Sequence, residues 1–419
     1  MTSSSPSCGF RLAESHRHGA ITVGELPELS RRDVLKFGAV GAAGLLSLDV
    51  LTACGRSSGG RAALDPNSLV SFVSDGSKGR PTGLPARVAW ASTADSEFFL
   101  ALGHGMQLAA GQRGVDYLTA TSGNDPGKHV DQMNGFLQQG IGSMAMQPLS
   151  PDADSLVLQR AIDKGVCAQG IITAPSTMQV VASQYQIGFD QGKAAADYVT
   201  AHLGGNAQVL YFNLDTASSQ LQIRHRGVLD GLKTGGGGID VVGDLTVADI
   251  STTSGFQTMM SALHTHRDIK VVLGGDTIVV GAFKALKDSG KLSDDMFLSG
   301  VDGDKDALDL VKAGGAYKLS IAFAWTLMGY GLGQFGADWI EGKQVPRVIV
   351  AKGVKLDSAA AVSQFTTASA DPASVFADRH RYEDYLPLYG NVSFATRHTY
   401  WTSPVDPPST HPQGPAPSS

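Results

Sequence analysis

Arg87-Val88-Ala89-Trp90-Ala91, then Glu97 to Arg113, then Val115-Asp116-Tyr117-Leu118-Thr119-Ala120 is the stretch that decides the fold. Its two ends are short apolar runs that read as strands. Between them Phe98, Leu102, Met106 and Leu108 recur at helical spacing, and Gly114 marks the helix end. Strand, helix and strand in that order form a βαβ unit, which requires a parallel sheet and a right-handed crossover. Working outward, the same alternation continues. His129 to Gln139 reads as a helix closed by Gly140, Ser143 to Met146 as a strand stopped before Pro148, Asp154 to Lys164 as a helix, and Val166 to Ile172 as a strand. A second cycle follows, with helices at Gly192–Leu203, Gln222–Lys233, Gly255–His266 and Ile278–Asp288. Its strands are Gln208–Asn213, Ile239–Val247, Val271–Leu273 and Met296–Val301. The expected class is α/β, two doubly wound parallel-sheet lobes. Such sheets bind ligands at the carboxyl ends of their strands, so two facing lobes would enclose a ligand in the cleft between them.

About 330 residues follow the N-terminal leader, enough for two domains with a sizeable core. The net charge of −6 carries no signature of a nucleic-acid partner. Of three cysteines, Cys8 and Cys54 lie in the leader region and only Cys167 in the body, so no disulfide within the body is expected. Gly165-Val166-Cys167-Ala168 reads as buried strand, which makes Cys167 an inert core thiol.

Ser30-Arg31-Arg32-Asp33 precedes a weakly apolar run from Phe37 to Leu48. Twelve residues are too few for a bilayer span, which takes about 20, but they suit the hydrophobic region of an export signal headed by a twin-arginine pair, Arg31 and Arg32. Leu51-Thr52-Ala53-Cys54 resembles a bacterial lipobox, which implies lipidation at Cys54 and a mature chain that starts there. Val34 departs from the phenylalanine usual in twin-arginine signals. The expected order is a signal peptide over 1–53 and a flexible Gly/Ser/Pro/Arg-rich tether over 54–86.

A set of ordered motifs carries a specific resemblance. They are Asp95-Ser96-Glu97-Phe98-Phe99, Gly123-Asn124-Asp125-Pro126-Gly127-Lys128, Gln147-Pro148-Leu149-Ser150-Pro151-Asp152 and Ile187-Gly188-Phe189-Asp190 with Gly192. Arg224 with Gly227, Gly274-Gly275-Asp276 through Gly281-Ala282, and Val301-Asp302-Gly303 complete the set. Together they resemble, from about Arg87 to Leu356, the type I periplasmic binding proteins of the ribose-binding group, solute receptors of ABC importers. The resemblance implies a three-crossing hinge, with crossings near Asp190, Ala324 and Val350. Lobe one would be 87–189 plus 325–350, and lobe two 190–324 plus 351–357. A C-terminal extension over 358–403 would pack on the body through its aromatic residues, and 404–419 would be disordered.

The resemblance also implies a ligand site. Phe98 and Phe99 would stack on a sugar ring, beside Ser96 and Gln147. Gln222, Arg224, Asp276 and Asp302 would meet its hydroxyls, and Trp325 would add a second stacking face. Five positions depart from the family pattern. Ile172 and Thr173 replace a carboxylate–arginine pair, Gly275 an asparagine, Phe323 a glutamine and Ile250 an aromatic residue. The cleft is therefore less polar than a ribose site, and a larger or less hydroxylated solute is expected.

The expected function is an extracytoplasmic receptor, lipid-anchored at Cys54 after twin-arginine export. It would be a monomer that captures a sugar or sugar-like solute and delivers it to an ABC permease. A sensor subunit presenting ligand to a membrane receptor or kinase is the alternative that the same fold would serve. No Gly-x-Ser-x-Gly elbow, phosphate loop or metal-spaced cluster supports an exported enzyme, and no cofactor is expected. His264-Thr265-His266 reads as a solvated helix end.

Overall fold

The structure, a computed structural model, describes residues 70–74, 83–171, 175–216, 219–247 and 249–390. Arg31, Arg32, Cys54, Ile172, Thr173 and residues 391–419 lie outside the described residues.

The first lobe opens with β1 (Arg87–Ser92), α1 (Glu97–Arg113), β2 (Asp116–Thr121), α2 (Pro126–Gln139), β3 (Ser143–Met146), α3 (Pro151–Asp163), β4 (Cys167–Ile171) and β5 (Met178–Ala182). The second contains α4 (Gln184–His202), β6 (Ala207–Asn213), α5 (Ser219–Lys233), β7 (Ile239–Thr246), α6 (Thr252–Thr265), β8 (Ile269–Leu273), α7 (Asp276–Asp288), β9 (Phe297–Asp302), α8 (Lys305–Ala313) and β10 (Tyr317–Ala322). The chain returns with α9 (Trp325–Ile340) and β11 (Val348–Ala351), adds β12 (Val354–Leu356), and ends in α10 (Ala359–Ala370), α11 (Pro372–Ala377), α12 (Arg379–Tyr385) and β13 (Leu388–Tyr389). The strand orders are β13-β11-β5-β4-β3-β1-β2 and β12-β10-β9-β8-β6-β7. All pairings between these strands are parallel except two, each at one edge of a sheet, β13 on β11 and β12 on β10. Both sheets are covered on both faces: Val88, Ala89, Met144, Ala145, Val271, Val272 and Leu298 are fully buried, as the strands of parallel sheets are.

Two helices begin earlier than apolar spacing alone suggests. Both α2 and α3 carry proline in their first turn, where its missing N–H costs nothing. Asp125 caps α2 by accepting from the backbone N–H of Lys128 at 3.0 Å. The first passage between lobes also moves. It falls at Ser183, between β5 and α4, and not near Asp190, because Gln184–His202 is one continuous helix packed along α5. The glycines of the stretch matched to that crossing serve helix contact. A Cβ on Gly188 would stand 2.0 Å from the Arg224 carbonyl oxygen, and one on Gly227 would stand 2.2 Å from that of Tyr185. The two backbones touch, which only glycine allows.

The second passage lies at Phe323–Ala324 and the third between β11 and β12. A fourth follows: the extension leaves β12 in the second lobe, rests α10 on α8 and α9, and ends as β13 in the first sheet. Part of the expected flexible tether is ordered against it. Phe72 N–H donates to Leu388 O at 2.9 Å, and Gly390 N–H donates to Val70 O at 2.8 Å. Arg379 lies over the Phe72 ring at 5.6 Å. Val70, Phe72 and Val73 give this short stretch an apolar content that its Gly/Ser-rich surroundings lack.

Candidate functional site

Sheets of this kind carry their ligand loops at the carboxyl ends of the strands, here β1, β3 and β4 of one lobe and β6, β8 and β9 of the other, and the candidate site is sought in the loops that follow them. On the first lobe, Ser92 ends β1 and its Oγ donates to Ala94 O at 2.7 Å, turning the chain into α1. Ser96 is the exposed N-cap of α1, with no side-chain cap bond, so its hydroxyl is available to a ligand. Phe98 is half-buried at the mouth of the cleft, 5.0 Å from the Trp325 ring. Gln147, half-buried, follows β3, whose last residue Met146 pairs with Ala91 of β1.

On the second lobe Asp302 ends β9 with φ of 124°, a conformation that costs a non-glycine residue of order 1–3 kcal/mol. The neighbouring loop holds it there. Asp276 Oδ2 accepts from the backbone N–H groups of Gly303 at 2.7 Å and Asp304 at 3.1 Å, and from Ser320 Oγ at 2.7 Å. Its Oδ1 accepts from the Tyr317 hydroxyl at 2.7 Å. Arg224 is buried, donates through Nε to Gln184 Oε1 at 2.8 Å, and places Nη1 3.8 Å from Asp302 Oδ1.

The carboxyl groups respond to this crowding. Desolvation pushes Asp302 up to about 7; Arg224 pulls it down, while Asp304 and Asp276 push it further up. Its side chain still shows 37% of its surface to the cleft, so solvent tempers that rise. Asp276, fully enclosed, is raised to about 6 by desolvation, against the hydrogen bonds from Ser320, Tyr317 and Gly303 and with added repulsion from Asp304. Glu97, beside Phe98, is raised by burial and then by Asp304 and Asp306; the backbone N–H and charge of Lys305 pull it down. The N-terminal ends of α1 and α8, one from each lobe, thus meet across the cleft mouth.

Three expected site residues stand elsewhere. Phe99 belongs to the core: it is 8% exposed and 6.4 Å from Trp90, because the turn that exposes Phe98 carries the next side chain inward. Asp276 is fully buried, with both oxygens engaged by protein donors, so it supports the Asp302 loop and does not face a ligand. Gln222 is exposed and donates to Asp215 O at 3.0 Å, which ties its own loop. The structure does bring together Phe98, Trp325, Asp302 and Arg224, with Gln184 added. Gln184 carries no sequence signal, since it follows an unmarked hinge passage. Of the departing positions, Phe323 is buried with its ring 4.7 Å from Trp325, and Ile250 is 58% exposed. Among the described residues no group of three or more His, Cys, Asp and Glu side chains could hold a metal ion. His264 lies in the last turn of α6 and His266 is its C-cap.

Two lobes closing strand ends on an aromatic pair and an ion pair is a solute-receptor arrangement, and residues 88–344 match the periplasmic binding protein domain. The chain belongs to that family. It is 28% identical over 317 residues to the ribose import binding protein RbsB of Bacillus subtilis, covering 73% of this chain and 94% of that protein. It is 26% identical over 253 residues to a putative rhizopine-binding protein of Rhizobium meliloti, covering 58% of this chain and 80% of that one. The crystal structure of a periplasmic ribose ABC transporter protein from Conexibacter woesei superposes with a TM-score of 0.59 at 21% identity. That match covers 69% of this chain and 96% of that one. The two sequence relatives are binding proteins by name, and the crystal structure shares the fold. Family membership makes this a binding-protein fold.

Proposed function

We propose that this protein is the extracytoplasmic solute receptor of an ABC importer, that it captures a sugar or sugar-like solute between its lobes, and that it does so without chemical turnover. The observation that carries this reading is the facing of Phe98 and Trp325, 5.0 Å apart, with the Asp302–Arg224 pair. An aromatic face binds the apolar side of a sugar ring, and a carboxylate beside a guanidinium satisfies adjacent hydroxyls as acceptor and donor. Phe98 belongs to one lobe and Asp302 to the other, so a solute touching both favours the closed arrangement. Gly275, Phe323 and Ile250 support a solute other than ribose. The twin-arginine pair Arg31–Arg32 and Cys54 support export and a lipid anchor that holds the monomeric receptor beside its permease.

A thermal-shift screen of sugars, polyols, cyclitols and nucleosides on the purified protein tests this. Stabilisation by at least one of them, with the solute recovered unchanged, is expected. No stabilisation by any solute, or formation of a product, overturns it. Mass spectrometry of the exported protein tests the anchor: a diacylglyceryl adduct on Cys54 is expected, and an unmodified cysteine removes that part of the reading.

A further inference from the structure

Beside the Asp302–Arg224 pair a small recess runs into the second lobe, lined by Gln191, Tyr211, Phe212, Leu214, Arg224 and Gly275 among others. It has room for about one water-sized group. Gln191, on α4, is 1% exposed. Its Nε2 donates to Gly274 O at 3.0 Å and to Ser299 O at 2.9 Å. Two carbonyl acceptors fix which end of the amide is nitrogen. The remaining atom, Oε1, is buried and has no donor. A buried acceptor without a partner is costly and calls for an occupant.

Gly275 stands at the recess beside Asp302. Its backbone, at φ −78° and ψ 151°, suits any residue. A Cβ there would lie 3.8 Å from Asp302 Oδ2 and 3.9 Å from Leu214 Cδ1, which are ordinary contacts. Neither conformation nor packing demands glycine. What glycine does is leave the space between Asp302 and Leu214 open.

We propose that this recess is a subsite for a hydroxyl on a short arm of the bound solute, such as an exocyclic hydroxymethyl group. The hydroxyl donates to Gln191 Oε1 and its carbon packs against Leu214 and Leu221, with Gly275 keeping the entrance clear. The inference rests on the reading of the cleft as a sugar-type site and adds to it a preference for solutes carrying that arm.

Calorimetric titration of the full-length protein tests it with two matched sets: D-galactose, D-fucose and L-arabinose; and D-glucose, 6-deoxy-D-glucose and D-xylose. Within a set the members differ only in the terminal hydroxyl or the whole hydroxymethyl arm. In at least one set the hexose is expected to bind about ten- to a hundred-fold more tightly than its two analogues. Gly275→Ser and Gly275→Asn, which close the entrance, should abolish that preference, the hexose and the pentose of a set binding equally within each variant. Gln191→Met, which also removes two strand ties, is read only where its melting temperature matches the parent; it should equalise the hexose and its 6-deoxy analogue. Equal binding of all three members, or a preference that survives both Gly275 variants, overturns the subsite and leaves the recess to an ordered water only. Absence of binding by all six sugars overturns the subsite, and if the wider solute screen is also blank the sugar-type reading falls with it.

Discussion

The indole N–H of Trp325 donates to the backbone carbonyl of Asp302 at 3.1 Å. One residue opens the helix that returns to the first lobe, and the other ends the central strand of the second. The bond therefore joins the hinge to the strained residue that presents the carboxylate. Asp302 O also receives the Phe323 N–H at 3.4 Å, so the hinge peptide and the indole converge on one oxygen.

Trp325→Phe keeps an aromatic face and removes this bond. Loss of about 1 kcal/mol, or roughly five-fold in affinity for the bound solute, is expected. Trp325→Ala also removes the contact with Phe98 and should weaken binding by more than about ten-fold. Titration of both variants beside the parent checks this. Equal affinity in all three would take Trp325 out of the site.

Asp276 gathers four donors at zero exposure, so its role is separable from that of Asp302 by stability. Asp276→Ala strands two hydroxyls and two backbone N–H groups, at about 1–3 kcal/mol for each that stays unpaired. At about 2–4 °C per kcal/mol the melting temperature should drop by roughly 6 °C or more. Affinity should fall with it, because the 302–304 loop loses its anchor. An unchanged melting curve would show that the loop holds itself.

Much of this was legible in the chain, and the failures have physical causes. Alternating apolar runs mark both sheets because parallel strands buried on both faces leave a plain signal. Pro126 and Pro151 hid the first turns of α2 and α3, since proline reads as a breaker unless its place at a helix start is recognised. Gly188 and Gly192, in the stretch matched to the first crossing, make a close helix contact instead, a property of the partner α5 that no local pattern announces. In the site, Asp302, Arg224 and Phe98 came from ordered motifs, and Trp325 from its place beside the second crossing. Phe99, Gln222 and Asp276 were misplaced because a motif fixes position along the chain and not the direction of a side chain. Gln191 and Gln184 lie in the interior of α4 and at its start, where polar residues at helical spacing resemble a solvated face.

Asp302 gives a pH dependence with two opposite signs. Its folded value of about 7 is raised above the ordinary range near 3.9. The unliganded fold therefore favours the protonated form, and that contribution is fully present below about pH 4 and lost as pH rises through 7. Asp302→Asn removes the titration, so its melting temperature should gain on the parent between pH 5 and pH 8. The neighbouring Asp276, raised to about 6, is present in both proteins and largely cancels. Affinity runs the other way. The ionised carboxylate accepts hydroxyl hydrogen bonds, so binding should strengthen from pH 5.5 to pH 8 in the parent and stay weak and flat in Asp302→Asn. A flat parent profile would mean that the solute does not use this carboxylate.

The C-terminal extension can be tested at a single contact. Tyr382 of α12 is 1% exposed, its hydroxyl has no partner, and a Cβ on Gly331 of α9 would stand 2.0 Å from that oxygen. Glycine is required at 331 because the tyrosine hydroxyl occupies the space. Gly331→Ala should cost about 1–3 kcal/mol through overpacking. Tyr382→Phe removes a buried hydroxyl without a partner and should leave stability unchanged or raise it by about 1 kcal/mol. In the double variant the methyl group takes the place of the oxygen, so the alanine should become nearly neutral. The coupling between the two sites then exceeds 0.5 kcal/mol, the usual scatter for independent positions. Thermal unfolding of the four proteins measures it. Strict additivity would mean that α12 does not sit on α9 in solution, and with it would go the fourth passage that returns the chain from the second lobe to the first.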